Sequence, residues 1–470
     1  MRGTAAVGTL VVALLLPASA SAHGVAQRAD LPIPEWLFVW GAVLVLVASF
    51  VALASLWPQS VLEQVRERRL FRVPLALEIL AGSLGVAAFL ITVWAGFAGN
   101  QTATANLAPT VIYVIFWVGV PFASVLLGDV FAAFNPWRAV GRATGWAARR
   151  VAGDGVPQPL AYPEWLGRWP AAAGLLAFAW VEIVFANRDD PSVLAVLTLA
   201  YAAVMLVGMS LYGVDEWTRR ADGFSVWFGL VARLSPLHWR GHVLCLRPPL
   251  SGAPRMWSGA GSVAVVCVMI GTTSFDGITQ GSLWTGASGI AEHLTDAFAS
   301  LALGREAAVQ AAYTVGLLAM VALVSGLYRL AVGGMHRVGG GASTSELARR
   351  FAHSLVPIAF AYLVAHYFSL LAFQGQAIAY LASDPLGECS DLLGTASATI
   401  NYGLLSATGI WYVQVAALVL GHFCALVLAH DRALATWRDK RAATRSQYWM
   451  LLVMVAFTSL GLWLLSSAAR

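Results

Sequence analysis

The sequence predicts an all-α fold: a polytopic bundle of about ten transmembrane helices behind a cleaved signal peptide. Hydrophobic residues make up 59% of the 470 residues and charged residues 11%, whereas a soluble domain usually carries about 25% charged residues. So much apolar surface predicts that a lipid bilayer surrounds most of the chain. The apolar residues are also grouped into runs of about 20 residues, the length that an α-helix needs to cross the hydrocarbon core.

The N-terminus has the pattern of a secretory signal. Arg2 supplies a positive charge, the apolar run from Val7 to Leu16 is too short to span a bilayer, and Ala20-Ser21-Ala22 is typical of a cleavage site. We therefore expect residues 1–22 to be removed as a signal peptide. The remaining residues, 23–470, are expected to form a single transmembrane helical domain.

Ten apolar runs long enough to span a membrane follow the signal. They lie near Trp36–Leu56, Leu75–Ala98, Leu107–Phe134, Trp169–Ala186, Ser192–Gly213, Ser258–Thr273, Ala307–Gly333, Leu347–Phe373, Thr408–His430 and Tyr448–Ser466. A shorter segment near 223–234 is amphipathic, which predicts an interfacial helix. Two long outer loops are predicted near 273–306 and 374–407, where Gly, Asp and Ser interrupt apolar stretches.

Basic residues are concentrated in alternate loops. The loops after the first, third, fifth, seventh and ninth apolar runs contain most of the arginines, and the sole lysine, Lys440, lies in the last of them. By the positive-inside rule, the mature N-terminus and Arg470 then both lie outside the cytoplasm. The clusters are loop signals rather than a continuous basic stripe, so no nucleic-acid partner is predicted. The preference for arginine and alanine is typical of a GC-rich bacterial genome, which indicates a bacterial plasma membrane protein.

Ionisable side chains inside apolar runs are costly in a bilayer and are therefore candidates for function. Counting about 1.5 Å of rise per residue, Glu182 and His366 lie at matching depths in the outer half of the membrane. A carboxylate and an imidazole at one level could polarise a water molecule, relay protons or hold a metal. We expect both residues to be catalytic and to face a shared cavity, roofed by loops near Asp276 and Asp384. The alternative is that each bonds separately to a neighbouring helix.

A second layer of ionisable groups is expected near the cytoplasmic ends of the helices. It contains Glu78, Asp129, Arg329 and His353, with His422 slightly deeper. One interpretation is a structural salt-bridge network in which Arg329 pairs with an acid. The other is a divalent metal site with His353, His422, Asp129 and Glu78 as ligands, since carboxylates and neutral imidazoles suit such ions.

Several short motifs resemble one known family. These motifs are Ala22-His23-Gly24, Arg28-Ala29-Asp30-Leu31-Pro32-Ile33-Pro34-Glu35-Trp36-Leu37, Ala105-Asn106-Leu107-Ala108-Pro109-Thr110, Gly128-Asp129-Val130-Phe131 and Asn135-Pro136-Trp137-Arg138. They resemble bacterial membrane proteins of the fenitrothion hydrolase type, over most of the chain. The resemblance implies hydrolysis of an apolar thiophosphate triester with release of a nitrophenol. It assigns no catalytic residues and no cofactor.

Two other classes of function fit the same pattern. A secondary transporter or metal permease would also have about ten spans with acids and histidines inside the membrane. A non-catalytic partner subunit of a larger membrane complex is the third class. Turnover of an aryl phosphotriester by purified protein separates the first class from the others, and flux into proteoliposomes separates the second from the third.

Overall fold

Helices dominate the protein. A computed structural model describes residues 35–155, 157–286 and 288–468, and it is 74% helical with almost no strand. The predicted all-α class is therefore confirmed. The predicted signal peptide and its cleavage site lie outside the described residues.

The helices follow one another along the chain with short connections. Those of the first half are α1 (Glu35–Leu56), α2 (Leu75–Ala98), α3 (Leu107–Leu127), α4 (Val130–Phe134), α5 (Pro136–Ala152), α6 (Trp169–Ile183), α7 (Pro191–Tyr212), α8 (Val214–Arg220) and α9 (Gly223–Ala232). Those of the second half are α10 (Ser262–Thr279), α11 (Ser282–Thr285), α12 (Ile290–Ala299), α13 (Arg305–Gly339), α14 (Thr344–Phe351), α15 (Val356–Gln374), α16 (Ile378–Ser383), α17 (Ala407–Thr436) and α18 (Lys440–Ala468).

Each of the ten predicted apolar runs overlaps one of these helices. Within the described part of the chain, seven helical stretches are long and apolar enough to cross a membrane. They are α2, α3, α7, α10, α13, α17 and the continuous stretch Thr344–Ser383, which contains α14, α15 and α16. Three further apolar helices are shorter. They are α6, α9 and the segment Trp40–Leu56 of α1. The length and composition of these helices indicate a membrane-embedded protein.

Side-chain caps begin several of the spanning helices. Asn106 accepts a hydrogen bond from the backbone N–H of Ala108 at 2.9 Å, at the start of α3. Asp190 accepts from the backbone N–H groups of Ser192 at 2.9 Å and Val193 at 3.2 Å, at the start of α7. The first-turn N–H groups have no partner within the helix, so these caps satisfy donors that hydrocarbon could not.

The middle of α3 is a π-helix, which spans Thr110–Gly119. Its wider turn rotates the side chains relative to those of a regular α-helix. Two aromatic residues of this segment face inward: Trp117 is 1% exposed, and Tyr113 contacts the ring of Phe178 in α6. Because π segments often occur at functional sites, this part of α3 is a region of interest.

The predicted interfacial segment near 223–234 forms helix α9, but its burial differs from the expectation. Eight of its ten residues are buried, including Phe224, Trp227 and Phe228. The helix packs against α3, α4 and α6. It therefore lies inside the bundle, because apolar residues cover nearly its whole circumference rather than one face.

The two regions predicted as long outer loops are partly helical. The first contains the end of α10 and the short helices α11 and α12, and the second contains α16. Residues 384–406 have no regular secondary structure. Asp384 organises the start of this stretch by accepting hydrogen bonds from the backbone N–H groups of Glu388 and Cys389.

A small antiparallel sheet joins two connections between helices. Its strands are β1 (Arg68–Arg72), β2 (Leu237–Arg240) and β3 (Val243–Leu246), in the order β1-β3-β2. The β1 strand lies between α1 and α2, and β2 and β3 form a hairpin after α9. The sheet therefore ties two distant parts of the sequence together at one end of the bundle.

The centre of the bundle is formed by α10 and α15. Of the apolar window of α10, 83% is buried, and this helix packs against α6, α13 and α15. The α15 helix also packs against α17. Along α17, buried small residues recur at every fourth position, Gly421, Ala425, Ala429 and Ala433, a spacing that lets two membrane helices approach closely.

Candidate functional site

A buried carboxylate and imidazole meet between the two central helices. The Nε2 atom of His366, in α15, lies 2.7 Å from Oδ2 of Asp276, in α10. The Asp276 side chain is 1% exposed and the His366 side chain 8%. A carboxylate in this position accepts a hydrogen bond from Nε2–H and so fixes both the orientation of the ring and its tautomer.

Two further side chains complete the polar cluster. The hydroxyl of Tyr367 donates a hydrogen bond of 2.8 Å to the same oxygen, Oδ2 of Asp276. Glu182, in α6, is 7% exposed. It interacts electrostatically with Asp276 and lies within hydrogen-bonding range of the Tyr367 hydroxyl. The cluster therefore joins α6, α10 and α15 in one region that is otherwise apolar.

The local sequence explains how α10 brings Asp276 into the bundle. The helix continues past the point where the hydropathy falls, at Thr272-Thr273-Ser274, and ends at Thr279. The hydroxyls of Thr272 and Ser274 bond back to carbonyls of the preceding turn, and the Thr279 hydroxyl bonds to the carbonyl of Asp276. These bonds satisfy the hydroxyls within the helix, so the polar residues can be buried among its neighbours.

The second ring nitrogen of His366, Nδ1, faces Gly277 of α10, a residue without a side chain. A Cβ atom built on Gly277 would lie 3.8 Å from Nδ1 of His366. With a proton on Nε2, Nδ1 carries the lone pair and can accept a proton. Gly277 therefore leaves room beside the one ring nitrogen that is available for chemistry.

One end of the site carries the positive charge of Arg188, which pairs with Asp189 at 3.8 Å. The Tyr113 hydroxyl, from the π segment of α3, donates to the backbone carbonyl of Arg188 at 2.9 Å. The Arg188 guanidinium donates to the carbonyl of Ile183 at 3.1 Å and interacts electrostatically with Glu182 and Tyr113. Its side chain is 34% exposed, so the positive charge lies between the cluster and the surface.

Asp276 and Tyr367 connect the two predicted catalytic residues, Glu182 and His366. His366 contacts Asp276, and Glu182 reaches the same Asp276–Tyr367 unit from the other side. Glu182 and His366 thus belong to one polar cluster, whose central residue is Asp276, and the shared cavity stays a prediction. Asp276 was expected in a roof loop and lies instead in α10. The signal in the sequence was an aspartate directly after an apolar run and before Gly277.

Two of the four predicted metal ligands are engaged near one end of the bundle. Glu78 forms an ion pair with Arg142 at 2.7 Å and a second contact with Nδ1 of His242 at 3.0 Å. Asp129 caps α4 by accepting from the backbone N–H of Ala132 at 3.1 Å. Both carboxylates thus have structural partners.

The two histidines of the predicted metal site are buried separately. Nδ1 of His353 lies 2.9 Å from the carbonyl of Arg350, and Nδ1 of His422 lies 2.8 Å from the carbonyl of Leu418. In the described ranges, no group of three or more His, Cys, Asp or Glu side chains could hold a metal ion. His353, His422, Asp129 and Glu78 therefore do not come together as one ligand set.

The expected pairing of Arg329 with an acid is not found. Arg329 is exposed, and no Asp or Glu of the described residues lies within ion-pair distance of it. The positive charge instead acts on the nearby Cys267. The predicted inner salt-bridge layer is therefore reduced to separate local contacts.

Comparisons with protein-family models, with curated proteins and with solved structures found no match. The case for function accordingly depends on the residues and their geometry.

Proposed function

We propose that this protein is a membrane-embedded hydrolase of apolar organophosphorus triesters, with Asp276 and His366 as its acid–base centre. The observation that carries the proposal is the buried 2.7 Å contact between these two side chains, which leaves Nδ1 of His366 as the available base. The substrate class comes from the sequence resemblance. Because such triesters partition into lipid, a site between membrane helices is accessible to them.

In the proposed reaction, Nδ1 of His366 removes a proton from a water molecule as its oxygen forms a bond to phosphorus. The bond between phosphorus and the aryl oxygen breaks, and the electron pair leaves with the nitrophenolate. Asp276 stabilises the imidazolium that forms, as a carboxylate does in a hydrolase triad. The imidazolium then gives its Nδ1 proton to the departing nitrophenolate oxygen, so that the products are a diester and a phenol and His366 is neutral again.

The remaining groups have supporting roles in this scheme. Tyr367 shares the Asp276 oxygen with His366 and so holds the carboxylate in place. Arg188 supplies positive charge at the outer end of the site, where charge develops on the phosphoryl oxygen or its sulfur analogue. Glu182 links Tyr367 to Arg188 electrostatically and provides a proton path toward the surface.

The test is turnover of a dialkyl nitrophenyl thiophosphate by purified full-length protein in lipid nanodiscs, followed by nitrophenolate absorbance. We expect His366→Ala and Asp276→Asn each to lower kcat by at least about 100-fold, the usual contribution of a general base. His422→Ala is the matched control, since His422 is equally buried in a membrane helix and bonds only within its own helix. A wild-type protein without turnover, or an active His366→Ala variant, would refute the proposal.

A second candidate function is proton-coupled transport. The specific observation is that Glu182, Tyr367, Asp276 and His366 form a continuous chain of proton-carrying groups across three helices. In proteoliposomes, a transporter would couple proton flux to solute or divalent-cation flux without any phosphotriester turnover. Glu182→Gln would then stop the flux, whereas His422→Ala would not.

We also propose the bacterial plasma membrane as the location, with the mature N-terminus outside and about ten crossings in total. The alternation of arginine-rich and arginine-poor loops supports this orientation. A partner subunit is not needed for the proposed chemistry, because all of its groups come from this chain.

A further inference from the structure

The three-stranded sheet has one strongly basic face. In the pairing register, Arg72 and Arg240 both lie opposite Val243, and Arg69 lies opposite Cys245. Because residues directly opposite each other share a face, the three arginines lie on the same side of the sheet. All three are exposed.

The acids of this region do not neutralise these arginines. Glu67 pairs with Arg255, and Glu78 pairs with Arg142 and His242. Among the described residues, Arg69, Arg72 and Arg240 form no ion pair. The basic face therefore has charge that no group of the sheet or its surroundings compensates.

The fourth ionisable residue on this face, His238, adds little charge. Burial, together with the nearby Arg247, lowers the pKa of the His238 imidazole below its usual value. The ring is therefore neutral at pH 7. The positive charge of the face comes from the guanidinium groups alone, and it persists at any physiological pH.

The sheet lies close to the membrane boundary. Arg72 is three residues before Leu75, where the candidate span α2 begins, so these residues are at most about 10 Å apart along the chain. On the other side, the Ser235 hydroxyl donates to the carbonyl of Leu126, near the end of the candidate span α3. Both attachments place the sheet beside the ends of two candidate spans.

The opposite face of the sheet is largely apolar and partly uncovered. Phe71 and Trp239 lie opposite Leu244 on this face, and they are 58% and 38% exposed. Leu246 is also exposed, and its one charged neighbour on this face is Arg68. An exposed tryptophan is typical of the membrane–water interface. The sheet thus has its exposed rings on one face and three of its arginines, Arg69, Arg72 and Arg240, on the other.

We propose that the basic face, formed by Arg69, Arg72 and Arg240, binds the headgroups of anionic phospholipids. Arg72 and Arg240 flank Val243 on the two outer strands, about 10 Å apart at their backbones. Their side chains are long enough to converge on one phosphate between them, with Arg69 as a neighbouring donor. Arginine suits this role because its planar group forms bidentate bonds with phosphate oxygens.

The test is native mass spectrometry of purified full-length protein titrated with phosphatidylglycerol or phosphatidylcholine. We expect a clear preference for phosphatidylglycerol, which the triple variant R69Q/R72Q/R240Q loses by at least about tenfold, since each arginine near anionic lipid contributes about fivefold. The matched control is R149Q/R150Q, which removes two exposed arginines from α5 and should keep the preference. Excess inorganic phosphate should not displace the lipid.

Three further variants keep the proposal open to refutation if the triple variant folds poorly. R69K/R72K/R240K retains the charge and should keep most of the preference, and the single variants R72Q and R240Q should each weaken it. Equal binding of both lipids by the wild type would overturn the proposal. So would an undiminished preference in the folded triple variant, or an equal loss in the α5 control, which would indicate a net-charge effect only.

Discussion

At the scale of single residues, Asp222 shows how one buried carboxylate can join several helices. Its Oδ2 atom accepts hydrogen bonds from Trp137 at 2.7 Å, Asn135 at 3.2 Å and Ser225 at 2.6 Å. Its Oδ1 atom accepts from the Tyr201 hydroxyl at 2.8 Å. Because the carboxylate satisfies all of these donors and also caps α9, its charge is held without any cationic partner in contact.

We expect Asp222→Asn to destabilise the protein by about 3 kcal/mol. The NH2 group of the asparagine would replace one accepting oxygen and would face the N–H or O–H donors that now bond to it, so these buried donors would lose their partner. Thermal unfolding in detergent measures the effect. The control is Asp215→Asn, whose side chain is 68% exposed and pairs with Arg138 and Arg142 at the surface. That change should cost less than about 1 kcal/mol. Equal unfolding temperatures for the two variants would contradict the role given to Asp222.

The site shows what could be predicted at this scale. Depth counting along the helices placed Glu182 and His366 at one level, and both reach the same unit. Asp276 was missed because the hydropathy falls before it, whereas α10 continues to Thr279. The sequence also does not show which helices pack against each other, because hydropathy gives the depth of a residue in the membrane but not its lateral distance from another residue.

At the scale of helices, the contact between α15 and α17 depends on a small residue. A Cβ atom on Gly421 would lie 2.3 Å from Cβ of Ala361 and 2.9 Å from the carbonyl oxygen of Pro357. Neither distance is compatible with unchanged packing. The buried series of small residues that begins at Gly421 therefore sets the distance between the helix that carries His366 and its neighbour.

We predict that Gly421→Ala destabilises the protein by about 1–3 kcal/mol, because the added methyl overpacks the helix contact. Gly326, in α13, is the matched control, since a Cβ atom there would meet nothing within 4 Å. Gly326→Ala should be neutral or slightly stabilising, because alanine favours the helix. Unfolding temperatures of the two variants compare them directly. A Gly421→Ala protein as stable as the wild type would show that α15 and α17 separate without cost.

Helix bounds were the most predictable feature at this scale. The predicted run Leu75–Ala98 coincides with α2, because Pro74 precedes its start and Gly99 follows its end. The segment near 223–234 was predicted correctly as a helix, α9. It was expected at the membrane interface, but it lies inside the bundle. Its apolar residues could have faced either lipid or protein, and only the packing of α3, α4 and α6 around it decides between the two.

At the scale of the whole molecule, orientation in the membrane is open to a test with a native cysteine. Of the four free cysteines, Cys389 is exposed and lies in the irregular stretch between α16 and α17. The predicted orientation puts this stretch outside the cytoplasm. Cys245 is buried in the sheet, so it serves as an unreactive reference while the protein is folded.

We expect a membrane-impermeant maleimide to label Cys389 in intact spheroplasts, and Cys389→Ser to abolish this labelling. Cys245 should react only after denaturation, which serves as the internal control. Labelling of Cys389 in inverted membrane vesicles but not in spheroplasts would reverse the orientation. Peptide mass spectrometry identifies the modified residue in each case.

The central position of α10 has a consequence for how the protein is made. This helix has the lowest mean hydropathy of the seven candidate spans, 1.5, and it carries Asp276 three residues before its C-terminal end. The hydroxyl and imidazole that bond to this carboxylate belong to α15, which is synthesised later. When α10 leaves the ribosome, its most polar group therefore has no partner from α15. We expect Asp276 to become fully dehydrated only when α15 packs beside α10, so that the site is assembled late in biogenesis.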